Sequence, residues 1–229
     1  MILLPTPSDV STYAASGREV APPAVRCPAC GGQTSPWSGY RRHLRAGELL
    51  VIFVPRVRCR SCGRTDALLP WFVLPYRYDS VDVIGAALEL SVRGMGVRRI
   101  AAATGRPETT VREWCRRFGQ VAGELARVLL AAAVAAGWSG FDLPTAPRPR
   151  AAAAVAALAV AWSRRRGPVS PWRIAALITG GTLLAPNTGS PLAGMAVSSV
   201  MAGTPPSTAG DDQWPHLTPP KLSPSGDTT

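Results

Sequence analysis

A small zinc ribbon followed by an all-α helix-turn-helix unit, further alanine-rich helices and disordered termini is the fold class that the sequence predicts. Three observations carry it. Cys27-Pro-Ala-Cys30-Gly31 and Cys59-Arg-Ser-Cys62-Gly63 are two CxxC pairs, each followed by glycine. Two runs of strand character lie between them. From Ser80 onward the apolar residues recur at the helical period, with glycines at Gly94, Gly96 and Gly105 as punctuation.

The 229 residues allow one large domain or two small ones, and the change of period favours two small ones. Formal charge is +11 and the pI about 10.6, with Lys221 the only lysine. Arginine makes forked contacts to phosphate and guanine edges, so this balance points to a polyanionic partner, double-stranded DNA. Ala, Arg, Gly and Pro are also the residues that high-GC codon usage favours, so motif carries more of that inference than charge. Of five cysteines, four stand in the CxxC pairs. Met1-Ile-Leu-Leu-Pro5 lacks the basic flank and the apolar length of a signal peptide, so a reducing cytoplasmic, nucleoid-associated setting is expected, and metal rather than disulfides. The apolar windows Val128–Trp138 and Ala151–Trp162 are alanine-dominated and shorter than the about 20 residues a membrane span needs, so no membrane is expected.

In chain order, residues 1–24 are rich in Pro, Ser, Thr and Ala and read as a disordered leader. Residues 25–72 form the ribbon with its connector. Cys27, Cys30, Cys59 and Cys62 are the expected ligands of a structural zinc ion, the glycine after each pair letting the chain turn under the metal. The 28 residues between the pairs need structure of their own. The runs Trp37–Arg45 and Leu49–Arg58, joined by Ala46-Gly47-Glu48, predict a hairpin whose second strand is an edge strand returning to the second knuckle. So small a ribbon is expected to need metal to fold. Four cysteines leave His43 unneeded as a ligand. Arg41, Arg42, Arg56 and Arg58, with Arg45, Arg60 and Arg64, make the hairpin basic and offer a backbone-gripping surface or a solvated face. Leu68–Pro75 is an apolar connector, non-helical because of its prolines, expected to pack the ribbon against the next unit.

Residues 79–119 read as the helix-turn-helix. Ser80 caps a first helix with Ile84, Ala87, Leu88 and Ser91 on one face, a second helix runs from Val97 to Thr104, and Gly105-Arg106-Pro107 turns into a third helix through Phe118. On the third, Val111, Trp114, Cys115 and Phe118 lie at i, i+3, i+4 and i+7 and form the inner face, making Cys115 a core residue. Thr109, Thr110, Arg112, Glu113, Arg116 and Arg117 are then the DNA-facing candidates, unless this is a plain helical bundle with a solvated face.

These residues also carry a resemblance. Ile100-Ala-Ala-Ala-Thr-Gly105-Arg-Pro-Glu-Thr-Thr-Val111-Arg-Glu-Trp114 looks like the helix-turn-helix of insertion-sequence transposases and their helper proteins. Joined to Cys27-Pro-x-Cys-Gly and Arg58-Cys-Arg-Ser-Cys-Gly-Arg-Thr65, it is similar to a family of uncharacterised zinc-ribbon plus helix-turn-helix proteins of high-GC bacteria, commonly encoded beside integrase-core transposases. The resemblance covers residues 25–119, with a weaker stretch from Gly167 to Pro186. It implies an architecture, a genomic setting and a separately encoded transposase as a partner.

Residues 120–184 read as alanine-rich helices, over Gln120–Gly137, Ala151–Arg165 and from Ser170 to Gly180, which either cover the DNA-binding unit or pair two chains as a homodimer. Arg164-Arg165-Arg166 offers a phosphate contact or a solvated helix end. Residues 185–229 read as a disordered tail. After the helix-turn-helix the only acids are Glu124, Asp142, Asp211, Asp212 and Asp227, too few and too scattered for the acidic triad of a two-metal nuclease, and no other catalytic motif stands out. No enzyme is expected. The leading expectation is a zinc-dependent DNA-binding protein, a regulator or targeting helper of a mobile element. The alternatives are a protein-interaction module that docks onto a transposase and a non-catalytic transposase remnant.

Overall fold

Leu50, Ile52 and Val54 alternate along a long strand and put one side of it into the main core, while beyond Pro55 the opposite side is covered, Val57 packing with Leu4, Val25 and Leu68. The computed structural model describes residues 1–6, 9–140 and 142–182. In chain order the elements are β1 (Ile2–Leu4), α1 (Val10–Ser16), β2 (Thr34–Ala46), β3 (Glu48–Cys59), β4 (Thr65–Pro70), α2 (Val81–Val92), α3 (Val97–Thr104), α4 (Glu108–Ala135), α5 (Pro147–Arg166) and α6 (Pro171–Ile178). The expected tail, residues 185–229, lies outside the described residues, as do the side chains of Arg165 and Arg166.

The strands form one mixed sheet in the order β1-β4-β3-β2. The β2–β3 hairpin turns at Gly47, as the sequence predicts, and its register runs from Ala46↔Glu48 to Thr34↔Cys59 with one irregularity between Pro36 and Ser38. Two expectations are corrected. β3 is an interior strand: β4 pairs with it antiparallel over Thr65–Ala67. Pro55, which argued for an edge, sits one residue outside the β4-paired stretch Arg56–Arg58, where no donor toward β4 is needed. The leader is not a disordered extension, because Ile2–Leu4 pairs in parallel with Leu68–Pro70 and α1 follows, capped by Asp9, whose side chain accepts from the Thr12 N–H. Tyr13 of α1 is buried, donates its hydroxyl to the Phe53 carbonyl at 3.1 Å and meets Phe72 edge-on at 5.4 Å. Composition alone hid this, since a three-residue strand and a two-turn helix gain their stability from the sheet they join.

Beyond β4 the connector goes straight into the interior. Phe72, Val73 and Leu74 are buried, in one core with Leu44, Ile52 and Val54 of the hairpin and with Ile84, Leu88, Ile100 and Trp114 of the helices. Each such side chain contributes about 1.5–3 kcal/mol on burial, so hairpin and helices stabilise one another.

The helical part follows the sequence closely at its start. The Ser80 hydroxyl caps α2 by accepting from the Val83 N–H at 3.3 Å, and α3 spans Val97–Thr104 with Ile100 and Ala101 buried. Gly105 ends α3 in the left-handed conformation (φ 65°), which glycine adopts without strain, and α4 begins three residues later. The expected break after Phe118 is absent. Apolar positions continue in helical register through Ala122, Leu125, Leu129 and Ala132, all buried, and this outweighs the about 1 kcal/mol that each of Gly119 and Gly123 costs a helix. Among the described residues α4, at 28 residues, is the one helix long and apolar enough by composition to cross a membrane. A core helix has the same composition, and α5 packs along α4 through Ala151, Ala154, Val155 and Leu158. The helix α6 closes onto α2. The Trp172 Nε1–H donates to Glu89 at 2.8 Å and Arg173 pairs with Asp82 at 2.6 Å.

Candidate metal centre

Both CxxC segments fold into the same knuckle, because each places a glycine where φ must be positive. In the first, the Gly31 N–H bonds back to the Cys27 carbonyl at 2.8 Å and the Cys27 N–H to the Gly32 carbonyl at 2.9 Å, with Gly31 at φ 69°. In the second, the Gly63 N–H reaches the Cys59 carbonyl at 3.1 Å and the Cys59 N–H the Arg64 carbonyl at 2.8 Å, with Gly63 at φ 73°. An Arg60 N–H to Gln33 carbonyl bond of 2.9 Å joins the two knuckles. They stand at the open end of β2–β3, where Thr34 pairs with Cys59.

The four sulfurs converge there. The Sγ atoms of Cys27 and Cys62 are 3.7 Å apart, those of Cys30 and Cys59 are 3.5 Å apart, and all four lie within 4.8 Å of one another. Four thiolates on one ion at about 2.3 Å in tetrahedral array would be about 3.8 Å apart, whereas a disulfide requires about 2.05 Å. Geometry and donor chemistry therefore fit a metal ion held by four thiolates. Cys27 and Cys59 are buried, and Cys30 and Cys62 are exposed. The Cys62 and Ser61 N–H groups help pull the Cys59 thiol down to about 6. At Cys30 the Gly32 N–H favours the thiolate, yet the neighbouring sulfurs of Cys59, Cys62 and Cys27 outweigh it and push this thiol up to about 12. Four sulfurs this close do not all ionise unaided, and a cation between them is what lets them. His43 is exposed and outside the cluster, and Cys115 is buried in the helical core.

The arginines of the hairpin divide. Arg41 and Arg58 are exposed, Arg58 lying over the Trp37 ring at 4.8 Å. Arg56 donates to the Thr65 hydroxyl at 3.0 Å. Arg42 departs from the expected phosphate contact. It is half-buried and its Nη2 donates to the carbonyls of Leu74 (2.8 Å) and Arg77, so it holds the connector against β2.

On α4 the inner face is as expected: Val111, Trp114, Cys115 and Phe118 are buried. Thr109, Arg112 and Arg116 are exposed, and Thr110, Glu113 and Arg117 are half-buried. Glu113 pairs with Arg116 at 2.8 Å and with Arg117 at 2.5 Å, and these partners, Arg116 first, hold its carboxyl down at about 2. Arg112 stands 3.9 Å from Glu108 in an exposed pair. Sequence reasoning passed over Asp79 and Arg106, which form a buried ion pair at 2.5 Å that pins the α3–α4 turn to the connector. The available signal was an acid directly before a helix cap and an arginine inside a glycine-proline turn.

Fold and site together define a chain in which a four-cysteine, metal-capable sheet shares its core with a helical unit. Within it, a domain of unknown function (DUF6431) is found at residues 27–114, from the first knuckle through Trp114 of α4. No curated protein and no solved structure matches the chain.

Proposed function

We propose that the protein is a zinc-dependent, non-enzymatic binder of double-stranded DNA that serves a mobile element, as its regulator or as a targeting helper for a separately encoded transposase. The observation that carries the proposal is the first half of α4. Its inner face is locked into the core through Trp114 and Phe118, while Thr109, Arg112 and Arg116 stand in solvent directly after a three-residue turn from α3. We read α3, the turn and α4 as a helix-turn-helix, with α4 entering the major groove. The exposed Arg112–Glu108 pair is worth well under about 1 kcal/mol, so Arg112 is available to a phosphate or a guanine. Arg41 and Arg58 add sequence-independent grip. Zinc is the metal that a closed set of four thiolates suits best, and its role here is structural. The mobile-element setting is supported by the resemblance of Ile100–Trp114 to transposase helix-turn-helix units.

The test is selection of bound sequences from a random duplex pool by the zinc-loaded full chain, followed by affinity measurements on Arg112→Ala plus Arg116→Ala. An enriched sequence, bound about tenfold or more weakly by the double variant, is expected. Equal binding of selected and random duplexes would sink sequence specificity. An unchanged affinity in the variant would move the reading to an interaction module in which α4 merely packs.

A further inference from the structure

We infer that the free edge of the sheet carries a second nucleic-acid site, a stacking platform for unpaired bases built from Trp37, Tyr40, Tyr76 and Tyr78. It shares with the duplex reading only the assumption of a nucleic-acid partner, and it uses different residues. Of the four tyrosines in the chain only Tyr13 is buried. The other three, with Trp37, are the exposed aromatic side chains among the described residues: Trp37 57%, Tyr40 40%, Tyr76 73% and Tyr78 61%. All four lie on β2 or on the connector that β2 holds.

The placement is built. β2 is the outer strand, and the connector joins its far end through the Arg45 N–H to the Tyr78 carbonyl (2.7 Å) and the Ser80 N–H to the Arg45 carbonyl (2.9 Å). Arg42 fixes the same loop from below through the Leu74 and Arg77 carbonyls, and its guanidinium lies within electrostatic reach of Tyr40 and Tyr78. Tyr76 is the one non-glycine residue with positive φ (59°) among the described residues. A backbone conformation that L side chains rarely adopt is thus held in place beneath the most exposed aromatic ring, and strain of that kind persists where surroundings over-determine it.

Cations interleave with the rings. Arg45 lies over Tyr78 at 5.9 Å and Arg58 over Trp37 at 4.8 Å. Strand alternation puts Arg56 and Arg58 on the face of Val54, the cross-strand partner of Tyr40, and Arg58 lies over Trp37, so Trp37 and Tyr40 share one side of the hairpin. Arg45, five residues from Tyr40, meets Tyr78 from the other side, and the rings flank the strand edge. Of the nearby acids, Asp79 is matched by Arg106 and Glu113 by Arg116 and Arg117, which leaves Glu48 of the hairpin turn at the end of the edge. Aromatic faces alternating with unmatched positive charge along an edge about 27 Å long, from Trp37 to Arg45, fit a polyanion with exposed π-faces, a single strand. A duplex offers no free base faces to these rings. Arg77 lies in the field of Glu113 and Arg117, so the platform borders the outer side of α4.

The experiment measures anisotropy of a labelled single-stranded oligonucleotide and of a blunt duplex with the zinc-loaded full chain and variants of matched metal content and thermal midpoint. Tyr40→Ala, Tyr76→Ala and Tyr78→Ala combined should weaken single-strand binding about tenfold or more and leave duplex binding unchanged. The corresponding triple Phe variant should retain single-strand binding, because it keeps the rings. Arg112→Ala plus Arg116→Ala should show the reverse pattern. Single-strand quenching of tryptophan emission should shrink in Trp37→Phe. Absence of single-strand binding, an unaffected triple Ala variant, or a triple Phe variant as weak as the triple Ala variant would each overturn the platform. Single-strand binding without duplex binding would sustain it and sink the helix-turn-helix reading alone.

Discussion

Arg42 shows how one side chain's role is set by where its donors end. On a basic strand it reads like its neighbour Arg41, yet its guanidinium serves two connector carbonyls. Arg42→Met keeps the stem and removes the donors, leaving both carbonyls without that partner. The expected cost is about 1–3 kcal/mol, read as a lower urea midpoint with the slope unchanged. Arg41→Met should stay within about 0.5 kcal/mol. Glu113 makes a second prediction. Its folded carboxyl is held down at about 2, against an ordinary value of 4.5, first by Arg116. The stabilisation is therefore present above pH 4.5 and lost as pH falls toward 2. Carboxyl chemical shifts followed through an acid titration should give a midpoint near 2, and Arg116→Ala should raise it.

At the level of elements, the contact of α6 with α2 depends on an atom that is missing. A Cβ on Gly85 would lie 2.3 Å from Cδ1 and Cγ of Trp172, whose ring is buried and whose N–H is committed to Glu89. Gly85→Ala raises intrinsic helix propensity, so on an isolated α2 it would stabilise. In the folded chain overpacking wins, and a net loss of about 1–3 kcal/mol is expected in thermal or urea unfolding. The compensating pair Gly85→Ala with Trp172→Leu should recover part of it. A midpoint for Gly85→Ala at or above the parent's would show that α6 is not seated on α2. The hairpin offers a parallel case: a Cβ on Gly39 would fall 2.1 Å from Cζ of Phe53, so the ring of one strand covers the glycine of the other.

For the whole molecule the consequence is shared stability. The knuckle end rests on a small cluster, Leu4, Val25, Val57 and Leu68, while the far end of the hairpin belongs to the main core with the helices. The metal is then expected to govern only part of the sheet. Chelation should abolish hydrogen-exchange protection around residues 26–35 and 57–66 and leave it at α4 and at Leu44, Ile52 and Val54. Helical circular dichroism should change little. Cooperative loss of the whole signal on chelation would instead mean that the thiolate site holds the entire fold together. Cys59→Ser, which removes a buried ligand, should release the metal by elemental analysis and give the same exchange pattern.

Much of this was legible in the chain itself. The paired CxxC-Gly spacing specifies two identical knuckles, the Ala46–Glu48 turn sets the hairpin register, and Ser80, Gly105 and the i, i+3, i+4, i+7 face of α4 place three helices, because in each case the physics is local: a positive φ, a cap, a period. What the tertiary structure alone decided is non-local. β1 and α1 are ordered only because β4 and Phe53 are there to receive them. β3 is interior only because β4 returns beside it, and α4 continues through two glycines only because α5 covers it. Arg42 is diverted from the surface, and Tyr40, Tyr76 and Tyr78 are gathered on one edge, by a connector whose path depends on the buried Asp79–Arg106 pair. Local sequence determined the knuckles, the hairpin and the starts of the first three core helices, and so where the sulfurs meet, while long-range burial determined which further elements form, which of the remaining side chains face solvent, and so which surfaces this protein has to offer a partner.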